Sequence, residues 1–414
     1  MEQNFSFLLG AGFSVPHGYP TVKELDTKLM YIKSSDIYIH TSQNAGFLNG
    51  SEDPNPYILK EQRHFVEDFL KFYNEKILKP GETFHFESFI DFYTGLMRGE
   101  KCELYDNFFK QYRKKYKASN LSKIDEIMKF HSTFIQLVWK ELHKTYEKVH
   151  LAKPYNPNYN VFLHLLEYLS NDFTIHIHTL NLDLLMEYLS FSDSVGGNLD
   201  DGFEEIGSPY YAKHYEYGYM IRLRYFSNKY DQNFRLYKLH GSVDHIPFNF
   251  NKEFTVVKSV RGIGMTDFYK EFRNQQGEFE YYNCSWNSYP DFLCGTTEKI
   301  KRYNDSYYYQ KVFEHFKNNL LSSSYLIVIG YGFGDPEINK MIKDKFLSAP
   351  GKKMLVINPT KPSSELLDLP NVIHLPLGVE YFLLTDVENA LGINLTRKEA
   401  EDKGVTQNKV ICYE

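Results

Sequence analysis

With 414 residues the chain is long enough for a large core and, on length alone, for about two or three domains. Hydrophobic residues make up 42% and charged residues 24%, the balance of a globular protein and not of a disordered or fibrous one. The formal net charge of −6 argues against a broad nucleic-acid-binding face, and no apolar segment is long enough to span a membrane.

The chain opens on a short apolar run, Phe5 to Leu9, with the length of a buried parallel strand. It empties into Gly10-Ala11-Gly12, and a helix is expected after Pro20, with Val22, Leu25 and Leu29 on one face. Strand, glycine turn and helix is the arrangement that brings backbone N–H groups up to a phosphate. Gly10, Gly12 and Gly18 do not make the six-residue dinucleotide fingerprint, so an ordinary strand-to-helix turn explains this stretch equally well.

From Thr21 to about Ser170 the pattern is helical and aromatic. Phe65, Phe69 and Phe72, then Phe86, Phe89, Ile90 and Tyr93, then Ile124, Ile127, Met128, Ile135 and Val138 recur at helical spacing and read as core stripes. Lys110, Arg113, Lys114, Lys115 and Lys117 read as a solvated helix face, and Asn44 to Pro56 as a loop. The β pattern returns at Phe173 to Thr179, which runs into Leu180-Asn181-Leu182-Asp183 and a helix from Leu184 to Leu189. Ser192 to Asn233 and the stretch from residue 243 to Pro290 read as irregular inserts. Between them a short strand, Arg235 to Leu239, leads to His240-Gly241-Ser242, and Asp291 to Thr297 resembles a strand and turn.

The last third is the clearest. A helix from Tyr307 to Leu321 precedes a continuous apolar run from Ser324 to Ile329, which suits a strand buried on both faces and ends in Gly330-Tyr331-Gly332. Pro336 sits where the next helix begins. Buried strands follow at Lys353 to Asn358 and Val372 to Leu375, then a final helix, and the tail from 396 to 414 is polar. Alternating strands and helices predict an α/β fold, a Rossmann-type parallel sheet with helices on both faces and a helical insertion over 21–170. The expected organisation is one catalytic domain over 1–395 with inserts at 192–233 and 243–290.

Four cysteines, Cys102, Cys284, Cys294 and Cys412, are scattered without a C-x-x-C pair, which offers no zinc signature. With no recognisable leader, the expected compartment is the cytoplasm. The 34 Tyr and 33 Phe read as a compositional bias rather than a platform for stacking bases.

In open parallel sheets the site lies beyond the carboxyl ends of the strands. Those ends carry Gly10 and Gly12, Asn181 and Asp183, His240, Gly330 and Gly332, and Asn358. Singly, a His before Gly is a turn residue and an Asn-x-Asp a helix cap. At successive strand ends they form a constellation.

That constellation resembles the sirtuin-like family, specifically the bacterial sirtuin-like NAD hydrolases of antiphage defence. Gly10-Ala11-Gly12-Phe-Ser14, with the later Gly18 and Pro20, resembles the family's Gly-Ala-Gly-x-Ser opening. Thr179-Leu-Asn181-Leu-Asp183 resembles Thr-Gln-Asn-x-Asp, and Leu239-His240-Gly241 the segment with the catalytic histidine. Gly330-Tyr331-Gly332 stands where the family has Gly-Thr-Ser, and Val356-Ile-Asn358 matches its penultimate strand. The deacylases of the family carry a four-cysteine zinc module after the histidine. Here Ser242 to Pro290 offers only Cys284, and Leu180 and Leu182 replace residues that are often polar or aromatic.

The resemblance implies NAD+ as substrate and cleavage of the nicotinamide–ribose bond by water, and the missing cysteine pairs lead to the expectation of no metal. It assigns Asn181 to orient the water and the ribose hydroxyls, and His240 to accept a proton. Asp183 would support Asn181 or the developing positive charge. Gly10, Ala11, Gly12 and Ser14 would cradle the diphosphate, Pro20, Thr179, Gly330, Tyr331 and Gly332 would line the cofactor, and Asn358 would reach the adenosine ribose. The alternatives are a protein deacylase or ADP-ribosyltransferase and a non-catalytic NAD-binding sensor. By analogy with the family, a homo-oligomer and a HerA-like ATPase partner are expected, with no membrane and no direct nucleic-acid contact.

Overall fold

The computed structural model describes residues 3–40, 45–48, 59–116, 122–150, 156–214, 218–250, 253–258, 265–286, 293 and 306–395. In chain order, β1 (Gln3–Leu9) is followed by α1 (Ala11–Ser14), α2 (Val22–Met30) and the strands β2 (Ile37–Ile39) and β3 (Ala45–Phe47). The insertion continues with α3 (Lys60–Phe72), α4 (Phe86–Met97), α5 (Glu103–Tyr116) and α6 (Lys123–His150). Then come α7 (Asn160–Leu169), β4 (Phe173–Thr179) and α8 (Leu185–Leu189). Short strands follow: β5 (Leu199–Asp200), β6 (Phe203–Glu204), β7 (Tyr210–His214), β8 (Met220–Arg222) and β9 (Arg224–Phe226). After β10 (Phe234–Lys238) stand β11 (His245–Phe250), β12 (Glu253–Lys258), β13 (Met265–Arg273) and β14 (Phe279–Trp286). The chain closes through α9 (Tyr307–Ser322), β15 (Ser323–Ile329), α10 (Pro336–Met341), β16 (Lys353–Ile357), β17 (Val372–Leu375) and α11 (Leu384–Leu391).

Seven strands form the expected parallel sheet, in the order β17-β16-β15-β1-β4-β10-β5. Every pairing within it is parallel. β15 and β16 are apolar on both sides because both faces are covered, whereas β4 places the buried His176 and His178 on one face. Phe7, Leu9, Ile175 and Ile177 pack with α7 and α11, while Leu8, Leu326 and Val328 pack with α9 and α10.

The helical insertion holds a core of its own. Phe65, Phe69, Phe89, Phe130 and Phe134 are buried together, and burying each such ring stabilises by roughly 1.5–3 kcal/mol. The Phe65 and Phe86 stripes lie inward as expected. The third stripe does so only in part: Ile127, Ile135 and Val138 are buried, whereas Ile124 and Met128 are 47% and 54% exposed. Those two stand on the outer side of the 28-residue α6. Lys110, Arg113, Lys114 and Lys115 form the exposed face of α5, with Lys115 3.0 Å from Asp68. Lys117 lies outside the described residues, as do most of the 44–56 loop, the 291–297 turn apart from Leu293, Cys294, Cys412 and the 396–414 tail.

The two inserts expected to be irregular are not. Residues 192–233 and 243–290 contribute the strands of an eight-stranded antiparallel sheet, ordered β6-β9-β12-β11-β14-β13-β7-β8. Only β5 leaves the first insert to pair with β10 in the parallel sheet. Within 44–56, the described residues Ala45–Phe47 form a strand rather than a loop. Among the described residues no helix is long and apolar enough to cross a membrane.

Candidate active site

The carboxyl ends of five adjacent strands, β16, β15, β1, β4 and β10, carry the candidate residues side by side. Two glycine turns interlock at the centre. The Gly10 N–H donates to Ile329 O and the Gly12 N–H to Gly330 O, each at 2.9 Å, while the Phe13 N–H returns to Gly10 O. A Cβ on Gly10 would lie 2.6 Å from Tyr331 Cα, and one on Gly330 would lie 2.2 Å from Phe13 N. Gly330 also has φ +65, the left-handed conformation that favours glycine. Glycine stands here, first of all, so that the two turns can touch backbone to backbone. Close approach of a ligand fits Gly332 better, where an added Cβ would meet nothing within 4 Å.

Asn181 is held in one orientation. Its Nδ2 donates to Gly10 O and to Ser14 Oγ, both at 2.9 Å, and its N–H donates to Thr179 Oγ1 at 3.0 Å. A carbonyl oxygen can only accept, so the amide nitrogen must face Gly10 and Oδ1 is left as the accepting edge. The Ser14 hydroxyl in turn bonds the Asp183 carboxylate. Asp183 Oδ1 also accepts the Leu185 N–H at 3.0 Å, and burial pushes its carboxyl above the ordinary range. Asp183 therefore acts on Asn181 through Ser14.

His240 follows β10 and is buried. Its Nε2 lies 3.4 Å from Asp335 Oδ2, and its backbone oxygen accepts the Leu293 N–H at 2.7 Å. Asp335 is the N-cap of α10, its Oδ1 accepting the N–H groups of Glu337 and Ile338 at 3.0 and 3.2 Å. The Tyr331 hydroxyl bonds Asn339 Oδ1 at 3.0 Å and receives the Asp335 N–H at 3.0 Å, which braces the same turn.

Below these residues runs a buried network of charges. Lys258 Nζ lies 2.9 Å from Asp201, 3.3 Å from Asp244 and 3.3 Å from Glu187, and Arg224 bonds Asp201 at 2.6 Å. Burial alone would raise the Asp201 carboxyl, but Lys258 and Arg224 outweigh it and bring it to about 2. Lys238 lies 3.5 Å from Glu187 and donates to the backbone oxygen of Asp183. The antiparallel sheet is thereby tied to the loops that carry Asn181 and His240.

Two connected spaces open at these strand ends. The outer chamber, about 700 Å³, is lined by Gly10, Ala11, Asn181, His240, Gly330, Tyr331, Gly332 and Asp335. Small-ligand sites are roughly 300–1,000 Å³. The inner chamber, about 90 Å³, is lined by Ala11, Ser14, Pro20, Asn181, Asp183 and His240. Gly12, Thr179 and Asn358 line neither. Gly12 belongs to the glycine interlock, Thr179 fixes Asn181, and Asn358 Nδ2 donates to Tyr331 O at 3.2 Å.

Several lining residues escaped the reading of the sequence. Asp335 was accessible as a cap signal ahead of Pro336, but its pairing with His240 exists only in the fold. His85, Glu87 and Ser88 enter the outer chamber from the start of α4, and Leu142 of α6 walls the inner one. The insertion thus forms part of the site. Trp139 Nε1 also donates to Val243 O at 3.1 Å, bracing the loop after His240. Among the described residues no group of three or more His, Cys, Asp or Glu is placed to hold a metal ion.

No curated protein matches the chain. Among solved structures it is similar to a Sir2 homologue in complex with NAD, at 13% identity and TM-score 0.35 over 94% of this chain and 89% of that one. It is also similar to Sir2Tm bound to a propionylated peptide, at 11% identity and TM-score 0.35 over 95% of each chain. A mutant Sir2 homologue in complex with 2'-O-acetyl ADP ribose gives 14% identity and TM-score 0.37 over 95% of this chain and 96% of that one. The stretch 175–368, which holds Asn181, His240 and Asp335 but not the first glycine turn or the helical insertion, matches the family model of the SIR2-like domain.

Proposed function

We propose that the chain is an NAD+ glycohydrolase that releases nicotinamide and ADP-ribose. The observation that carries this reading is the convergence of Asn181 and the buried His240–Asp335 pair on one ligand-sized chamber at the strand ends. The nicotinamide leaving group of NAD+ is already cationic, so no acid is needed to expel it. What the reaction needs is a held ribose, support for an oxocarbenium-like centre and one admitted water.

Asn181 supplies a fixed acceptor edge for a ribose hydroxyl or the water. His240, steadied by Asp335, accepts a proton from a ribose hydroxyl. Ser14 and Asp183 keep Asn181 in place, and Gly332 lets the diphosphate approach the backbone. By resemblance to the defence-associated hydrolases, the physiological role we infer is NAD+ depletion as a toxic effector, controlled by assembly with a HerA-like ATPase.

The test is product analysis with the full chain. NAD+ converted to nicotinamide and linear ADP-ribose supports the reading. Cyclic ADP-ribose as the main product means that water is not the nucleophile. Deacylation of acyl-lysine peptides with formation of O-acyl-ADP-ribose replaces the glycohydrolase reading with a deacylase.

A further inference from the structure

Six residues line both chambers: Ala11, Val22, Glu87, Leu180, Asn181 and His240. They mark the neck between the two spaces. Three of the six are polar, and two of these, Asn181 and His240, are the residues assigned to the reacting ribose. The third is Glu87, which the SIR2-like stretch does not contain, because it comes from the first turn of α4 in the insertion.

Three other carboxylates line the chambers, and none lines both: Glu337 borders only the outer one. Asp183 lines only the inner chamber, caps Leu185, bonds Ser14 and is pushed toward its neutral form by burial. Asp335 lines only the outer chamber, caps α10 and faces His240. Glu87 is half-buried at the neck itself. Its charge also reaches the opposite wall: besides burial, the main cause, Asp335 and Glu87 raise the Tyr331 phenol.

We infer that Glu87 is a catalytic residue, the base that takes the proton from the attacking water. The assignment rests on the glycohydrolase reading. The bond between nicotinamide nitrogen and the anomeric carbon breaks with its electron pair going to nicotinamide, which leaves neutral. Water oxygen then bonds the anomeric carbon and its proton passes to the Glu87 carboxylate, which returns it to solvent. The sum is NAD+ plus water giving nicotinamide, ADP-ribose and one proton. His240 is left to serve the ribose hydroxyl, so the two proton acceptors have separate tasks.

The test exploits a second nucleophile. Isotopically labelled nicotinamide can re-enter through its ring nitrogen, which carries a lone pair and no proton to lose, so base exchange needs no general base. In the full chain, Glu87→Gln is expected to lower hydrolysis by about 100-fold or more, the usual scale of general-base catalysis. Exchange should persist, so that the exchange-to-hydrolysis ratio rises by the same factor, and Glu87→Asp should recover part of the hydrolysis. Equal loss of both reactions, or loss of neither, overturns the base role. A merely structural Glu87 moves both together and lowers the urea midpoint. A wild-type chain that neither hydrolyses nor exchanges NAD+ overturns the glycohydrolase reading itself, which is a separate result.

Discussion

Asp335→Asn separates two jobs that one carboxylate performs with its two oxygens. Oδ1 caps α10 through the Glu337 and Ile338 N–H groups, and Oδ2 faces His240 Nε2 at 3.4 Å. Asparagine caps a helix about as well as aspartate, so the α10 end should survive, whereas alanine there costs about 1 kcal/mol. The side facing the imidazole becomes an amide N–H₂, which cannot accept a hydrogen bond. At 3.4 Å the two groups are in ion-pair contact without a hydrogen bond, so the low end of the about 1.5–3 kcal/mol that a charged hydrogen bond contributes is the ceiling here. Screening by water is small, because the side chains are only 8% and 12% exposed. At about 1.4 kcal/mol per tenfold, turnover should fall by up to about 10-fold. Nicotinamide release and the urea midpoint are to be measured for both the Asn and Ala variants. Turnover unchanged in Asp335→Asn would refute the idea that this carboxylate holds His240. A loss that only tracks the fall in midpoint across both variants would reduce Asp335 to a cap.

Asn181→Ala and His240→Ala should each abolish NAD+ cleavage with the circular dichroism spectrum intact; full turnover in either overturns its role. Purified protein should carry no structural zinc, and metal analysis finding about one tightly bound equivalent, as a four-ligand site holds, would revive the deacylase reading. Burial holds His176 down to about 3, and His178 and His245 well below the ordinary 6.5. The unfolded chain takes up these protons first, so stability should fall as pH drops below about 6.5, by up to about 4 kcal/mol per pH unit for three groups; equal urea midpoints at pH 7.5 and 5.5 would contradict this. The chain alone should turn over NAD+ weakly and gain with assembly, and a tenfold gain needs only about 1.4 kcal/mol of preference for the active state. Full turnover by the dilute lone chain, without a HerA-like ATPase, refutes control by assembly.

The centre of the parallel sheet was legible because strands buried on both faces carry apolar runs such as Leu326–Ile329 and Met354–Ile357. Phe173–Thr179 and Val372–Leu375 stand within the bounds read from sequence. The antiparallel sheet was not legible, for the complementary reason. β8 is largely exposed, and Phe279, Tyr281 and Tyr282 of β14 are about half exposed, so no inward-facing alternation rises above the polar background. Site residues at strand ends followed from topology. Glu87 could not follow, since a glutamate in the first turn of a helix is ordinary chemistry until the fold sets it beside Asn181 and His240. Ile124 and Met128 erred the other way, as helical spacing alone does not say which side of α6 has a neighbour.

The position of β1 has a bearing on how the protein is made. Its partner on one side, β15, lies far along the chain, and the buried Ser6–Ser323 hydroxyl contact spans 317 residues. At about 5–20 residues per second, a ribosome needs on the order of 15–60 s to travel that distance. Until then the first strand has only β4 beside it, Gly10 and Gly12 have no second turn to lock against, and Asp335 does not exist. A nascent or prematurely ended chain that already contains Asn181 and His240 still cannot assemble the pocket. Synthesis order thus delays assembly of the chamber until nearly all of the parallel sheet has emerged.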